Sequence, residues 1–452
     1  MKKTVRFVLI LVLVLATLPT ITAASSQGKV GINIVLNQPV NDSILKDLAD
    51  YGKVRDVLPE IRAVMLFGSA SNLAAIQAES YVEAAAIDAV VNMPPLDTVA
   101  VEDFENGLNT WNLDAINVTD FGAGRTIGYS GEGVYVAVLD TGLVQNWRMY
   151  FPEQRIAEEY ARAFGGGGNS GNNISEQPDK WEHDTNSHGT HVVSTIIGYS
   201  LGGTPINGVA PLSTIIPVKI LNQNGSGWWS VIAYGILYIA DLKDGPLANS
   251  PVVINMSLGG APDPIMEAAI NYAIGKGVLV VAAAGNAGEK GMHYPGAYSQ
   301  VISAAAAGWV GQWTAPGWWY SLDVADPTQA SDFYIADFSS RALDGQDLDV
   351  AAPGVWVVGP YQVSFGAPSY YYLSGTSMAS PHVAGTVALM AQKDPALGQS
   401  QAENILESTA LALPPGCRTV LSPSGTSVEY CWGADATGSG LIQADGAVSA
   451  TP

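Results

Sequence analysis

The sequence predicts an α/β protein: a doubly wound, mostly parallel sheet with helices on both faces, preceded by a small ferredoxin-like α+β unit. Three observations carry that expectation. Between Val134 and Ala283, short near-continuous apolar runs alternate with segments of helical periodicity, as parallel strands buried on both faces and their crossover helices require. The runs end in Asp140-Thr141-Gly142 and Gly285-Asn286, where functional groups gather beyond the carboxyl ends of strands in open sheets. Ahead of them, the periodicity of residues 29–94 changes in the order β-α-β-β-α-β.

A chain of 452 residues, 48% of them apolar, has the length of two or three domains and enough apolar mass for a large core. Asp and Glu number 41 against 20 Lys and Arg, a net charge of -21. Phosphate binding needs a basic footprint, so nucleic acid is excluded as a partner. Charged residues are only 13% of the chain, which argues against disorder.

Residues 1–24 have the charge order and length of a secretory signal peptide. Lys2, Lys3 and Arg6 precede an apolar run from Phe7 to about Leu18, and small residues end it at Thr22-Ala23-Ala24. A transmembrane helix needs roughly 20 apolar residues, and neither this run nor a later one supplies them. The mature protein is therefore expected to be secreted, soluble and free of a membrane anchor. Export to an oxidising compartment bears on Cys417 and Cys431, the only cysteines, which are expected to form one local disulfide. The rival reading, a nucleophilic or metal-bound cysteine, finds no histidine near either in sequence.

The small unit reads as a strand over 30–36, then a helix capped by Asn41 or Asp42 with Ile44, Leu45 and Leu48 on one face. Two short strands around Pro59 follow within 54–66, then a helix over 71–83 and a strand over 87–91. Its place between a leader and a larger domain marks residues 25–97 as a propeptide. Pro94 to about Asn109 is acidic and weakly periodic, which suits an exposed linker and cleavage region. Residues 98–452 form the main domain.

That domain opens with a strand over 134–139 that ends at Asp140. An acid there is as readily a turn residue as a functional group. Asp-Thr-Gly is also the motif of aspartic proteases, but those need two such aspartates sharing a proton, and this chain has one. Arg155 to Asn173 leads into a Gly-rich surface loop. Three of the five histidines lie between His183 and His191, yet the His-Glu-x-x-His spacing of a helical zinc site is absent. His188 is the candidate base, at a loop-to-helix junction, and His191, one turn on, is expected to be packed. Strands are expected over 215–220, 252–256 and 278–283, and helices over 192–197, 230–239 and 264–274.

The last of these strands leads to Asn286. Asparagine after glycine is usually a turn residue, yet an amide donor is also what a developing oxyanion needs. Ser377 follows a Gly375-Thr376 turn and opens an apolar helix over 383–390, with Pro381 in the first turn, where its missing N–H costs little. Unpaired N–H groups and partial positive charge at a helix start stabilise negative charge beside a hydroxyl. A serine alone is a weak nucleophile and needs a base, an orienting acid and an oxyanion site.

Val-Ala-Val-Leu-Asp140-Thr-Gly, Asp184-Thr-Asn-Ser-His188-Gly-Thr-His-Val, Ala-Ala-Gly-Asn286 and Gly-Thr-Ser377-Met-Ala-Ser-Pro-His-Val-Ala-Gly together resemble the subtilisin family of serine proteases. The resemblance spans about Trp111 to Val448 and includes Gly208-Val-Ala-Pro, Ser257-Leu-Gly-Gly and Ala352-Pro-Gly; the segment before it resembles the family's inhibitor-like propeptides. An α/β-hydrolase would require a Gly-x-Ser-x-Gly elbow, broken here by Ala379, and the chain order Ser, Asp, His. The resemblance implies that Ser377 attacks the scissile carbonyl, His188 takes and returns the proton, and Asp140 fixes the imidazole tautomer. The Asn286 amide and the Ser377 N–H would hold the oxyanion. It also implies an endopeptidase acting on proteins and peptides, made as a self-processing precursor. Its own propeptide would serve as intramolecular chaperone and inhibitor, and the enzyme would be a monomer needing no cofactor for catalysis.

Gly225, Ser226 and Gly227, with Ser257, Leu258 and Gly259, match the strands on which the family pairs an extended peptide. Trp229 would wall a pocket for an apolar side chain. Ala284 and Gly285 suggest a roomy, uncharged primary pocket, hence broad specificity with an apolar or aromatic preference. The segment 200–207, where relatives often bind structural calcium, offers few carboxylate or amide oxygens, which puts that site in doubt. Trp309 to Pro327 is an aromatic-rich insertion that either rims the cleft or packs on the surface. Two other classes compete: an inactive relative kept as a binding or scaffold protein, and an exported carbohydrate- or cell-wall-binding protein whose tryptophans carry the function.

Overall fold

The computed structural model describes residues 28–92, 97–100, 109–122, 124–170, 172–361 and 368–452; the signal peptide read over 1–24 and most of the linker after Pro94 lie outside the described residues. In the N-terminal unit, β1 (Lys29–Leu36), α1 (Asp42–Ala49), β2 (Gly52–Leu58), β3 (Ala63–Ser69), α2 (Leu73–Gln77) and β4 (Val82–Ile87) follow in the expected order. They form an antiparallel sheet, β2-β3-β1-β4. Asn41 caps α1 by accepting from the Ile44 N–H at 3.1 Å, and Ile44 and Leu48 face inward. The second helix is shorter than its expected span and the last strand starts at Val82. Val82-Glu-Ala-Ala-Ala-Ile87 is alanine-rich, but it pairs with β1 from Val82 opposite Leu36 to Ile87 opposite Ile32, and the ladder overrides the local helix preference.

Two short strands follow this unit. β5 (Val90–Asn92) and β6 (Asp97–Ala100) each pair antiparallel with strands of the main domain, described below.

The main domain is built on β7 (Tyr135–Asp140), β8 (Arg162–Gly165), β9 (Ser175–Glu176), α3 (His188–Ile197), β10 (Thr214–Lys219), β11 (Ser226–Trp228) and α4 (Trp229–Asp244). It continues through β12 (Val252–Met256), α5 (Pro264–Gly275), β13 (Val278–Ala283), β14 (Ile302–Trp309), β15 (Phe333–Ile335) and β16 (Val350–Pro353). The central sheet runs β9-β8-β10-β7-β12-β13-β14-β15, with β16 also on β14. It is parallel from β8 through β14 to β16 and antiparallel only at β9 and β15. Strand order reverses beside β7, so the carboxyl end of β7, at Asp140, lies at the switch point where open sheets form crevices.

Helices cover both faces. One core holds α4 and α5 against the sheet. The other holds α3 and the long helix α6 (Thr376–Lys393). β17 (Val357–Pro360) and β18 (Tyr370–Ser374) form a hairpin that leads into α6. Helix α7 (Gln399–Thr409) and the hairpin of β19 (Gly416–Leu421) with β20 (Ser427–Trp432) follow, and Cys417 and Cys431 are disulfide-bonded across that hairpin. No described helix is long and apolar enough to cross a membrane.

Helix α6 starts at Thr376, well ahead of Val383, so Pro381 lies inside it and not in its first turn. An interior proline leaves the carbonyl four residues earlier without its donor. That carbonyl belongs to Ser377, and the Ser257 hydroxyl donates to it at 2.8 Å. A side chain from the end of β12 thus replaces the missing amide.

Candidate active site

Asp140 is the last residue of β7 and is fully buried. The loop after Trp181 returns to it, and Ser187, with φ +77, turns the chain into α3 so that His188 is the helix's first residue. His188 Nδ1 lies 2.9 Å from both carboxylate oxygens of Asp140. A carboxylate only accepts, so Nδ1 carries the hydrogen and Nε2 presents a lone pair. Nε2 has no hydrogen-bond partner among the described residues.

A second buried acid, Asp184, holds this loop in place. Its carboxylate accepts from the Thr141 hydroxyl at 2.9 Å and from the N–H groups of Asn186 and Ser187. The Thr141 hydroxyl oxygen in turn accepts from the Gly189 N–H at 2.9 Å. Burial pushes Asp184 up to about 6, opposed by nearby Lys219 and these donors. The acid-bearing strand and the base-bearing helix are therefore tied by Thr141 and Asp184. Both stood inside the motifs quoted above without a role, and their polar side chains flanking the acid and the base were the available signal.

Ser377 is fully buried in the first turn of α6, which packs against α3. Its hydroxyl donates to the Ser257 carbonyl at 3.3 Å and makes no hydrogen bond with His188. Asn286, after the carboxyl end of β13, accepts through Oδ1 from the Thr376 N–H at 2.9 Å and the Thr376 hydroxyl at 2.8 Å. That grip fixes the amide, and its buried Nδ2 donor has no partner among the described residues. The carboxyl ends of β7 and β13 and the starts of α3 and α6 thus bring in an acid, an imidazole with a free lone pair, a hydroxyl and an unpaired amide donor.

His191 and His382 take no part. His191 is buried, its Nε2 is 3.1 Å from the Val357 carbonyl, and burial pulls it down to about 3. His382 is buried between Asn112 and the Met378 carbonyl and is pulled down to about 4. Both are neutral packing residues, as expected for His191.

Of the expected substrate strands, β11 pairs with β5: Ser226 with Asn92, Gly227 with Val91 and Trp228 with Val90. Gly225, with φ +71, makes the turn before it. Val91 and Trp229 are both fully buried, and a Cβ on Gly260 would lie 3.8 Å from the Val91 side chain and 3.2 Å from the Trp229 ring. Val91 of the N-terminal unit therefore lies in an apolar pocket walled by Trp229 and floored by Gly260. Two buried acids seal the same interface. Asp88 accepts from the Ser230 N–H and hydroxyl at the start of α4 and from the Gly168 N–H. Asp263 caps α5 through Ile265 and accepts from the Asn33 amide at 3.1 Å. β6 pairs with β18, Asp97 opposite Ser374, just ahead of Ser377.

Ser257, Leu258 and Gly259 follow β12, and Gly260 bridges Tyr294. The small residues Ala284 and Gly285 do not open a roomy pocket. Ala284 is in the core, and the space beside Gly285 is taken by His293 and Ser340. The tryptophan insertion packs inward as well: Trp309, Trp318 and Trp319 are buried, with Trp111 stacked on Trp309.

Residues 199–201 and 204–206 form a hairpin whose turn is Gly202-Gly203. The Ser200 hydroxyl accepts from Gly203, its carbonyl accepts from Tyr370, and no carboxylate lies in 200–207. That donor set does not fit a calcium ion, which takes six to eight oxygens including carboxylates.

Residues 131–433 match the Subtilase family (Peptidase S8). The chain is 35% identical over 306 residues to the thermostable alkaline protease of Halalkalibacterium halodurans, covering 67% of this chain and 68% of that protein. It is 35% identical over 264 residues to thermitase of Thermoactinomyces vulgaris, covering 58% of this chain and 76% of that one. Among solved structures it is similar to fervidolysin from Fervidobacterium pennivorans, a keratinolytic enzyme related to subtilisin, with a TM-score of 0.66 and 25% identity. That match covers 94% of this chain but only 62% of the fervidolysin chain.

Proposed function

The chain belongs to the subtilase family of serine endopeptidases, and on that premise we propose that it is a secreted, self-processing enzyme that cleaves proteins through Asp140, His188, Ser377 and Asn286. The observation that carries the reading is a pair of unsatisfied buried groups: a lone pair on His188 Nε2, at the start of the helix packed against α6, and a donor on Asn286 Nδ2, whose Oδ1 holds Thr376 next to Ser377. Buried polar atoms are normally paired, and these two are the ones that peptide hydrolysis employs.

When a substrate carbonyl arrives, the Ser377 Oγ leaves the Ser257 carbonyl, gives its proton to His188 Nε2 and bonds to the carbonyl carbon. Geometry of this kind is often loose before substrate binds and tightens in the complex. The negative oxygen that forms accepts from Asn286 Nδ2 and the Ser377 N–H. Collapse expels the amine, which takes the proton from His188. Water then repeats the sequence and frees the acid product. Asp140 holds the Nδ1 hydrogen throughout, so Nε2 is always the exchanging atom. No step calls for a cofactor, and a monomer contains every group.

Residues 25–97 act as the propeptide, inhibiting in cis by laying β5 along β11 with Val91 in the Trp229 pocket. A substrate strand takes the same place after release, with an apolar side chain against Trp229. Processing falls between β5 and β6, because the first pairs with a substrate strand and the second with the strand leading into Ser377. The test is expression of the full precursor with wild-type Ser377 and with Ser377→Ala, followed by N-terminal sequencing and a casein assay. Wild type is expected to yield a chain starting between Met93 and Thr98 that digests casein. An inactive wild type, or processing of both, would defeat the reading.

A further inference from the structure

Gly259, expected in a substrate-pairing strand, and Gly285, expected to open the primary pocket, face one side chain. A Cβ on Gly259 would lie 2.7 Å from the His293 Cβ, and one on Gly285 would lie 2.8 Å from His293 Cγ and 3.0 Å from its Cβ. Real Cβ atoms do not approach that closely, so both positions must be glycine for the histidine to fit. Gly285 also has φ +105, which favours glycine on its own account. His293 is anchored where it stands: its N–H donates to the Ala284 carbonyl at 2.8 Å, and its carbonyl accepts from Ala297. The next residue, Tyr294, exchanges both backbone hydrogen bonds with Gly260. The ring is thus wedged between the backbone after β12, where Ser257 clasps Ser377, and the backbone after β13, one residue before Asn286.

The imidazole is half-buried, and no described residue is hydrogen-bonded to its ring nitrogens. Burial pulls His293 below its ordinary range, so near pH 7 the neutral ring offers one donor and one acceptor.

Building on the endopeptidase reading above, we propose that His293 is the specificity-determining residue of the primary pocket, shortening it and giving it a hydrogen-bonding floor. The residue before the scissile bond is then selected to be short, or to carry an amide or hydroxyl that reaches the imidazole, and large aromatic side chains are turned away. Apolar selection belongs instead to the Trp229 pocket, which Val91 fills.

The test uses the processed enzyme on peptide p-nitroanilides that differ only in the residue before the anilide: Ala, Gln, Leu and Phe. Wild type is expected to cleave after Ala and Gln roughly tenfold or more faster, by kcat/KM, than after Phe, within the range that a pocket's fit can discriminate. In His293→Gly the Phe-to-Ala ratio should rise by about tenfold or more, while His293→Gln, similar in length, should keep Phe excluded. Each ratio is internal to one variant, so a general loss of activity does not mask it. Faster cleavage after Phe than after Ala by wild type, or an unchanged ratio in His293→Gly, would overturn the proposal. If His293→Gly yields no active enzyme, the wild-type series decides. Failure of wild type on every anilide and on casein would instead overturn the endopeptidase reading.

Discussion

Ser257 and Ser377 clasp each other. The Ser257 hydroxyl donates to the Ser377 carbonyl at 2.8 Å, and the Ser377 hydroxyl donates to the Ser257 carbonyl at 3.3 Å. The first bond exists because Pro381 cannot donate to that carbonyl, so one side chain supports the helix at its proline and fixes the residue that carries the nucleophile. Asn255 extends the support, donating to the Ser257 hydroxyl and accepting from Ser380.

Ser257→Ala leaves the buried Ser377 carbonyl without a donor. The expected cost is about 1–3 kcal/mol of stability, read as a lower unfolding midpoint, together with a fall in kcat larger than the change in KM. A variant with wild-type stability and kcat would show that the clasp is incidental.

Asn286→Ala removes the free amide donor. The expected loss in kcat is roughly 10² to 10³, the loss this family shows when its oxyanion-hole amide is removed. Steady-state kinetics on one anilide decides it, and near wild-type turnover would remove Asn286 from the mechanism.

The interface between the propeptide and the main domain should loosen as pH rises. Burial raises Asp263 from the ordinary 3.8 to about 7, with like-charged Asp88 beside it also raised by burial. The docked state therefore holds protons that the undocked state releases, so docking is favoured below about pH 4 and weakens as pH climbs towards 7, with no further change above that. Amide exchange of residues 28–92 in the Ser377→Ala precursor, corrected for intrinsic rates, should show falling protection across that window. Asp263→Asn should flatten most of the trend, and a pH-independent wild type would contradict it.

Much of this was legible because the signals are local. The strands over 252–256 and 278–283 match their apolar runs residue for residue, since a strand buried on both faces has no alternation to misread. Asp140, His188, Asn286 and Ser377 stand at element ends, where the sequence changes period. The rest depended on partners far away in the chain. The start of α6 was hidden because Pro381 reads as a helix opening unless the Ser257 hydroxyl is known to replace its hydrogen bond. The strand over 82–87 was hidden by its alanines, which only the pairing with β1 overrules. Ala284 and Gly285 suggested an open pocket because their composition says nothing about His293 reaching between Gly285 and Gly259.

The central claim, that Ser377 is a nucleophile driven by His188, is tested most directly by covalent labelling with a fluorophosphonate, followed by peptide mapping of the labelled protein. One label per processed molecule, on Ser377, is predicted, with labelling abolished in Ser377→Ala and slowed by orders of magnitude in His188→Ala. No label on the wild type, or a label on another residue, would contradict it.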